Sequence, residues 1–357
     1  MITSNCLPKT KCLPKTKCLP KTDFCLNTKN GKDGLLRYVR NTIDGGQNLS
    51  QRKFGFYWSK CCKVNSSIVN KRFRIYIKNI KDSNNKTTSV LLRIFHYPLN
   101  KKKKNNKLCL KMELKTPIKM SGYYSFKTSF IDKLDKGPCG INKTELKGPS
   151  LVRIADKINK IFKVESSSLN DDSRLELCNY KGMILKTIKL LQYGKTWYER
   201  EAGFILDEPE IYELCKIVRK SKLSILFEVI RQDIVEQISN EYNTTKDEYE
   251  PKIKKLENLL KIDNLTLNNT YQQVFKKAIH PTSKLTDCQK AEVYKILFDN
   301  IWDRKIVLDN EIPEDGIKGI SKDTLEKYKT IINFEKKCNF GVKSTKIYNS
   351  EVEQKKK

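Results

Sequence analysis

Three runs between residues 73 and 114 predict strands, two by alternating apolar and polar side chains and one by a more apolar sequence, and these runs limit the fold more than any other feature. The first run is Phe73, Arg74, Ile75, Tyr76, Ile77 and Lys78. The second covers residues 90–97, and the third places leucine or methionine at every second position from Leu108 to Leu114. Successive side chains of a strand point to opposite faces, so a period of two predicts half-buried strands. Turn-rich segments join the runs, which predicts an antiparallel meander.

Helical and extended patterns then alternate. "LVRIADKINKIF" (151–162) carries its apolar side chains on one helical face, with Ser150 as the expected N-cap. "DDSRLELC" predicts a strand, 183 to about 200 a helix, and "GFIL" a last short strand. Over residues 34–206 the sequence therefore predicts an α+β domain, a mixed sheet with covering helices.

After Asp207 the strand patterns fade and helical patterns follow one another. The expected helices begin at Pro209, Leu223, Pro251, Tyr271 and Asp287, with one more after Lys318. We expect an all-α domain over residues 207–345 and a basic tail over 346–357.

The N-terminal segment is a short repeat: "CLPKTK" occurs at 6–11 and 12–17, and "CLPKTD" at 18–23. A six-residue repeat with proline in every copy forms neither a helix nor a central strand. Residues 1–33 are predicted to be a disordered, low-complexity basic tail, and a phosphate-binding or partner-binding arm is the alternative.

The chain of 357 residues has a formal net charge of +30, which favours polyanions: nucleic acid, an acidic membrane surface or an acidic partner. Lysine greatly outnumbers arginine, so the excess supports nonspecific attraction, not base-specific recognition. Lys101, Lys102, Lys103 and Lys104 form a run at the tip of a predicted hairpin. They form either a solvated loop or a finger that contacts nucleic-acid phosphates.

Twelve cysteines occur without any Cys-x-x-Cys pair, and the only histidines are His96 and His280. Zinc sites use ligands paired two to four residues apart, so no metal site is predicted. The first residues lack the apolar core of a secretion signal, and no run approaches the roughly 20 apolar residues of a membrane span. We therefore expect an intracellular protein with reduced thiols.

The stretch "LQYGKTWYEREAGF" (191–204) is the densest in the chain. A phosphate-binding loop needs a glycine five positions before Gly-Lys-Thr, and that position is Lys189. The triplet also ends a predicted helix instead of opening one, so it is not a nucleotide site.

"WYEREAGF" (197–204) resembles the block that closes the fold of the GNAT superfamily of N-acetyltransferases, where a tyrosine ends a helix and Gly-Phe begins the next strand. The order upstream is similar, and the resemblance covers roughly residues 70–206. It implies acetyl-CoA as cofactor, Tyr198 as general acid towards the departing thiolate, and pyrophosphate contacts at Gly148 and Ser150 in "ELKGPSLVRI". In the alternative interpretation, Tyr198 is a core aromatic and the protein is not an enzyme.

The lysine, asparagine and isoleucine content, together with "DDSRLEL" and "GKTWYE", also resembles uncharacterised proteins of large nucleocytoplasmic DNA viruses. That resemblance implies the host cytoplasm or the virion. The rival functional hypothesis is thus a basic viral core or factory protein that binds nucleic acid nonspecifically.

Overall fold

The computed structural model describes residues 24–26, 28–44, 54–58, 71–96, 108–134, 149–231, 246–299, 319–339 and 341–348. The chain divides into two compact units. Unit 1 consists of Met1–Leu169 and Thr345–Lys357, and unit 2 consists of Asn170–Ser344. Unit 2 is therefore inserted into unit 1 in the order of the chain.

Unit 1 contains seven strands and two helices in its described part: β1 (Phe24–Cys25), α1 (Lys29–Asp44), β2 (Phe54–Trp58), β3 (Lys71–Lys81), β4 (Thr87–His96), β5 (Leu108–Lys119), β6 (Tyr124–Leu134), α2 (Pro149–Ile161) and β7 (Ser166–Asp171). The last two residues of β7, Asn170 and Asp171, already belong to unit 2. The strands lie side by side in chain order. Strands β2 to β6 pair antiparallel, which confirms the predicted meander. The β1–β2 and β6–β7 pairs are parallel, so the sheet is mixed.

One face of this sheet is apolar and buried beneath the two helices of unit 1. Its buried side chains include Phe73, Ile75, Ile77, Val90, Leu92, Ile94, Leu110, Met112, Leu114 and Phe126. Helix α1 contributes Leu35 and Val39, and α2 contributes Ile154 and Ile158. Phe162, just after α2, meets Phe126 edge-on at 5.5 Å between ring centroids. The helix predicted over 151–162 is confirmed, with its start at Pro149 instead of an N-cap at Ser150.

Two described elements lie inside the range predicted as a disordered tail, residues 1–33. They are strand β1 and the first turn of α1. The proline repeat ends at residue 23, and Leu26, just after it, is fully buried. Residues 1–23 lie outside the described part of the chain.

In unit 2 the elements are β8 (Arg174–Leu177), β9 (Tyr180–Ile184), α3 (Leu185–Tyr193), α4 (Trp197–Ala202), β10 (Ile205–Leu206), α5 (Glu210–Lys220), α6 (Ser224–Arg231), α7 (Lys246–Ile262), α8 (Tyr271–Lys277), α9 (Asp287–Tyr294), a π-helix (Lys295–Asp299), α10 (Lys322–Asn339) and β11 (Val342–Ile347). Strands β8 and β9 form an antiparallel hairpin. The helices surround one apolar core that includes Tyr271, Phe275, Tyr294 and Phe298, whose rings contact one another.

Two features differ from the predicted all-α domain over residues 207–345. The last strand, β11, follows the helices, and its residues Val342 and Ser344 point inward. The hairpin and the helices α3 and α4, which we assigned to the preceding domain, belong to unit 2. Helical packing therefore dominates unit 2, but strands both open and close it. None of the helices described is long and apolar enough to cross a membrane.

A disulfide joins two exposed cysteines of unit 2. Cys178, in the turn between β8 and β9, bonds to Cys288 in the first turn of α9, 110 residues further along the chain. The expectation of reduced thiols is therefore wrong for this pair. Local spacing could not reveal it, because tertiary packing brings the two residues together. Cys215 and Cys338 are free and buried.

The C-terminal end of β11 returns to unit 1 and lies next to β7. There Lys346 places its Nζ 2.6 Å from Asp156 Oδ1 on α2, and the Tyr348 hydroxyl donates to the same oxygen at 2.9 Å. Asn159 donates to the Tyr348 hydroxyl oxygen at 3.1 Å. We call Lys346 and Tyr348 the C-terminal clasp. The clasp holds Lys346 and Tyr348 against α2, and both residues lie in the range predicted as a basic tail, 346–357.

Candidate functional site

The stretch 191–204 folds as two helices joined by a turn, where the sequence predicted one helix from 183 to about 200. Helix α3 ends because Gly194 adopts φ 72°, and its N–H donates to the Leu190 carbonyl. Thr196 then caps α4, accepting from the Glu199 N–H at 3.0 Å. Gly203 ends α4 in the same left-handed conformation, φ 78°. The Gly-Lys-Thr triplet thus ends α3, as predicted, and also opens α4, which was not predicted.

This geometry turns Tyr198 inward. Tyr198 lies in the first turn of α4, is 6% exposed, and packs edge-on against Trp197 at 4.9 Å between ring centroids. The Ser173 hydroxyl donates to its phenol oxygen at 3.0 Å. Burial raises the pKa of Tyr198 to about 12, with the Asp171 and Asp172 carboxylates adding to the rise and Ser173 opposing it. Tyr198 is therefore a neutral phenol whose own proton is not used in the bond from Ser173.

Two buried ionisable groups adjoin this pair. Asp171, the last residue of β7, is 2% exposed, and burial raises its pKa to about 6 against the lowering effect of the Lys186 ammonium. Lys186 lies in the first turn of α3 and is fully buried, and this burial lowers its pKa. Buried charges of opposite sign persist in proteins only when paired, so each supports the other. We call Asp171, Ser173, Lys186 and Tyr198 the Tyr198 cluster.

A thiol borders the cluster without adding a nucleophile. Cys338, near the end of α10, is buried, and burial raises its pKa to about 12 against the influence of Lys186. Cys215 on α5 is likewise buried, with its pKa raised to about 12 for the same reason. The reactive form of cysteine is the thiolate, so both thiols are chemically inert in this state.

A second tyrosine, Tyr212, forms hydrogen bonds to the first turn of α4 and to the segment that follows this helix. The Tyr212 hydroxyl donates to Glu199 Oε2 at 2.9 Å and accepts from the Leu206 N–H at 3.2 Å. Burial raises the pKa of Tyr212, with Glu199 reinforcing the effect. Because Glu199 is one residue from Tyr198 and belongs to the first turn of α4, this bond holds the helix that positions the Tyr198 ring.

The other residues predicted for function are not brought to this cluster. Gly148 and the run Lys101–Lys104 lie outside the described residues. Ser150 is helical in α2, but its side chain is not among those described. The acetyl-CoA contacts proposed for Gly148 and Ser150 therefore stay predictions.

Sequence reasoning missed Asp171, Ser173 and Lys186. "DDSRLELC" was predicted to be one strand, yet Asp171 is the buried last residue of β7 and β8 begins separately at Arg174. The local sequence offered no clear signal for Lys186, because the same helix also carries Lys189, which is only partly buried. Among the described residues no group of three or more His, Cys, Asp or Glu side chains is placed to hold a metal ion. No family model, curated protein or solved structure matches the chain.

Proposed function

We propose that the protein is an acetyltransferase-like enzyme in which Tyr198 acts as general acid on an acetyl-thioester donor. The observation that carries the proposal is the Ser173–Tyr198 pair: a phenol kept neutral by burial, with its oxygen held by a neighbouring hydroxyl. General acids must hold their proton until the leaving group departs, and a phenol with a pKa of about 12 does so at neutral pH.

The chain order around the pair supports the same proposal. An antiparallel meander leads through the amphipathic helix α2 to β7, and a helix bearing Tyr198 precedes Gly203 and Phe204. That order is the one implied by the resemblance to N-acetyltransferases. Helix α2 begins directly after Gly148, and helix N-termini attract phosphate groups. Pro149 supplies no N–H there, so Ser150 and the residues after it would donate to the pyrophosphate.

The donor, acetyl-CoA, supplies an activated acyl group. The side chains of the protein would transfer protons during the reaction. An amine attacks the acyl carbon, the carbon–sulfur bond breaks, and Tyr198 donates its proton to the sulfur that leaves. The hydrogen bond from Ser173 stabilises the resulting phenolate, which recovers a proton from water. The amine nitrogen, which is cationic once it has bonded to the acyl carbon, loses one proton to water, so the protons balance. Because Tyr198 is only 6% exposed, the thioester must reach the hydroxyl edge through a small opening. The donor is an intracellular metabolite, so the proposal includes an intracellular setting.

Tyr198→Phe tests the role of the hydroxyl. The ring packing against Trp197 stays, so the thermal midpoint should change little. Acetylation of a small amine, followed by mass spectrometry, should fall roughly 10²–10⁴-fold, the range for losing a positioned acid. The matched control is Tyr193→Phe on the exposed surface of the same segment, which should leave the rate unchanged.

Two results would refute the proposal. One is failure of the wild-type chain to bind acetyl-CoA at millimolar concentration in calorimetry. The other is an acetylation rate that is the same for wild type and Tyr198→Phe. In that second case Tyr198 is a packing residue, and Tyr198→Ala should still cost about 3–5 kcal/mol of stability through the cavity it leaves.

A further inference from the structure

The second face of the unit 1 sheet, opposite the face that α1 and α2 cover, is rich in cations and aromatic rings. We define this basic–aromatic face by its side chains on β3, β4 and β5: Arg74, Tyr76, Lys78, Leu91, Arg93, Phe95 and Lys111. Each alternates along its strand with a buried side chain of the apolar face. Arg93 and Lys78 are exposed, and Tyr76 and Phe95 are partly exposed.

Arginine and aromatic side chains alternate across the β3–β4 pair. Arg74 lies opposite Phe95, and Tyr76 lies opposite Arg93. The two rings meet diagonally, edge to face, with centroids 5.0 Å apart. Side chains directly opposite on antiparallel strands are in contact range, so each ring has a guanidinium as its cross-strand neighbour. The result is a compact patch in which flat apolar surfaces and fixed positive charges alternate.

Positive charges also lie opposite each other on two neighbouring strands. Arg93 on β4 lies opposite Lys111 on β5, and the two form a basic row. Like charges directly opposite in a sheet destabilise it, so folding alone does not favour this row. Two carboxylates lie nearby: Asp132 forms an ion pair with Lys111, and Glu113, on the same face of β5, forms one with Lys115. A polyanion laid across the row would relieve the remaining repulsion.

We propose that the basic–aromatic face binds single-stranded nucleic acid. Bases stack on exposed aromatic rings in proteins that bind single strands, while adjacent cations contact the phosphates. The rings of Tyr76 and Phe95 would stack with bases. Arg74 and Arg93, which lie opposite these rings on the neighbouring strand, would contact the phosphates. Duplex nucleic acid hides its base faces and would use only the charges. This binding surface is separate from the Tyr198 cluster, so the inference goes beyond the proposed function.

The test is fluorescence polarisation of the full chain with a labelled single-stranded oligothymidylate of about 16 nucleotides, within the site sizes of single-strand binders. Affinity should fall steeply between about 50 and 200 mM salt. Phe95→Leu keeps apolar bulk and removes the π-face, so binding should weaken about five-fold or more. Arg93→Gln should weaken binding and reduce the slope of affinity against salt.

Lys216→Gln and Lys327→Gln are matched controls, because each removes one exposed positive charge from a helix of unit 2. Both should bind as wild type does. Circular dichroism of every variant establishes that the fold is retained, and Lys78→Gln provides a second, fully exposed position if Arg93→Gln is unstable.

Three outcomes would overturn the proposal. The first is no binding at about 50 mM salt. The second is equal loss in Arg93→Gln and Lys216→Gln, which would assign binding to the net charge of the whole chain. The third is binding to duplex DNA or to anionic phospholipid vesicles at least as tight as to the single strand and unaffected by Phe95→Leu. That result would make the face a simple charge patch.

Discussion

Asp171 is a carboxyl group that folding places where its charge is unfavourable. Burial raises its pKa to about 6, whereas an unfolded carboxyl titrates near 4. The folded state therefore holds this proton more tightly than the unfolded state. Its contribution to stability is full below pH about 4 and is lost as pH rises to about 6. Active sites tolerate such costs when the group has a task.

Asp171→Asn removes this titration and leaves the shape. We expect the difference in unfolding free energy between wild type and variant to shift by about 2–3 kcal/mol between pH 7 and pH 4, in favour of wild type at the lower pH. Urea titrations of both proteins at matched pH values measure it, and other carboxyl groups cancel in the difference. A difference that stays constant with pH would contradict the assignment of a raised pKa to Asp171.

At the scale of single elements, the short helices of unit 2 depend on their caps. Thr286 accepts from the Gln289 N–H at the start of α9, and the Gln289 side chain accepts from the Thr286 N–H. Thr270 and Gln273 make the same reciprocal pair at α8. Helices of seven and eight residues are marginal by propensity alone, so these caps help to decide where they begin.

Thr286→Ala should lower the free energy of unfolding by about 1 kcal/mol, whereas Thr286→Ser should keep most of it, because serine can accept the same bond. Thr330→Ala makes the same change inside α10, where the hydroxyl donates only to the Glu326 carbonyl. For Thr330→Ala we expect the free energy of unfolding to stay unchanged or to rise slightly, because alanine has the higher helix propensity. Urea denaturation compares the three variants. Equal losses at positions 286 and 330 would show that capping is not the cause.

Elements with a strong period were predictable from the sequence. The runs at 73–78 and 108–114 fold within β3 and β5, and the second run folds within β4 as far as His96. The amphipathic stretch predicted over 151–162 folds as α2 as far as Ile161. Strand β11 was missed because "VKSTKI" offers Val342 and Ser344 as its inward residues, and a buried serine gives no hydrophobic alternation. The break between α3 and α4 depends on the left-handed conformation of Gly194, which a helical pattern does not encode.

The candidate site was predictable only in part, for a related reason. Tyr198 stood out because its local sequence is dense and resembles a known block. Its hydrogen-bond partner Ser173 and the nearby Asp171 lie about 25 residues earlier in the chain, and only folding brings them to Tyr198. Local patterns indicate elements, but side-chain clusters arise from tertiary packing.

For the whole molecule, the disulfide between Cys178 and Cys288 closes a loop of 110 residues within unit 2. Loop closure on this scale stabilises the folded state by up to about 4–5 kcal/mol, mainly by restricting the unfolded chain. We expect Cys178→Ser and Cys288→Ser to share one lowered melting temperature in calorimetry, several degrees below that of the oxidised wild type. Reductant is not the comparison, because Cys109 is also disulfide-bonded and would be reduced as well. Melting of both variants at the wild-type temperature would show that the bond contributes nothing to stability.

The C-terminal clasp has a consequence for the order of events during synthesis. The first residues of unit 1 are translated before unit 2. The end of β11 and Lys346, which contacts Asp156 on α2, are translated only after all of unit 2. Domains that occupy one continuous segment can fold in turn as they leave the ribosome. In this chain the inserted unit can finish before the unit that surrounds it. A nascent chain halted just before Thr345 would contain all the residues of unit 2, whereas unit 1 would still lack the end of β11 and the C-terminal clasp.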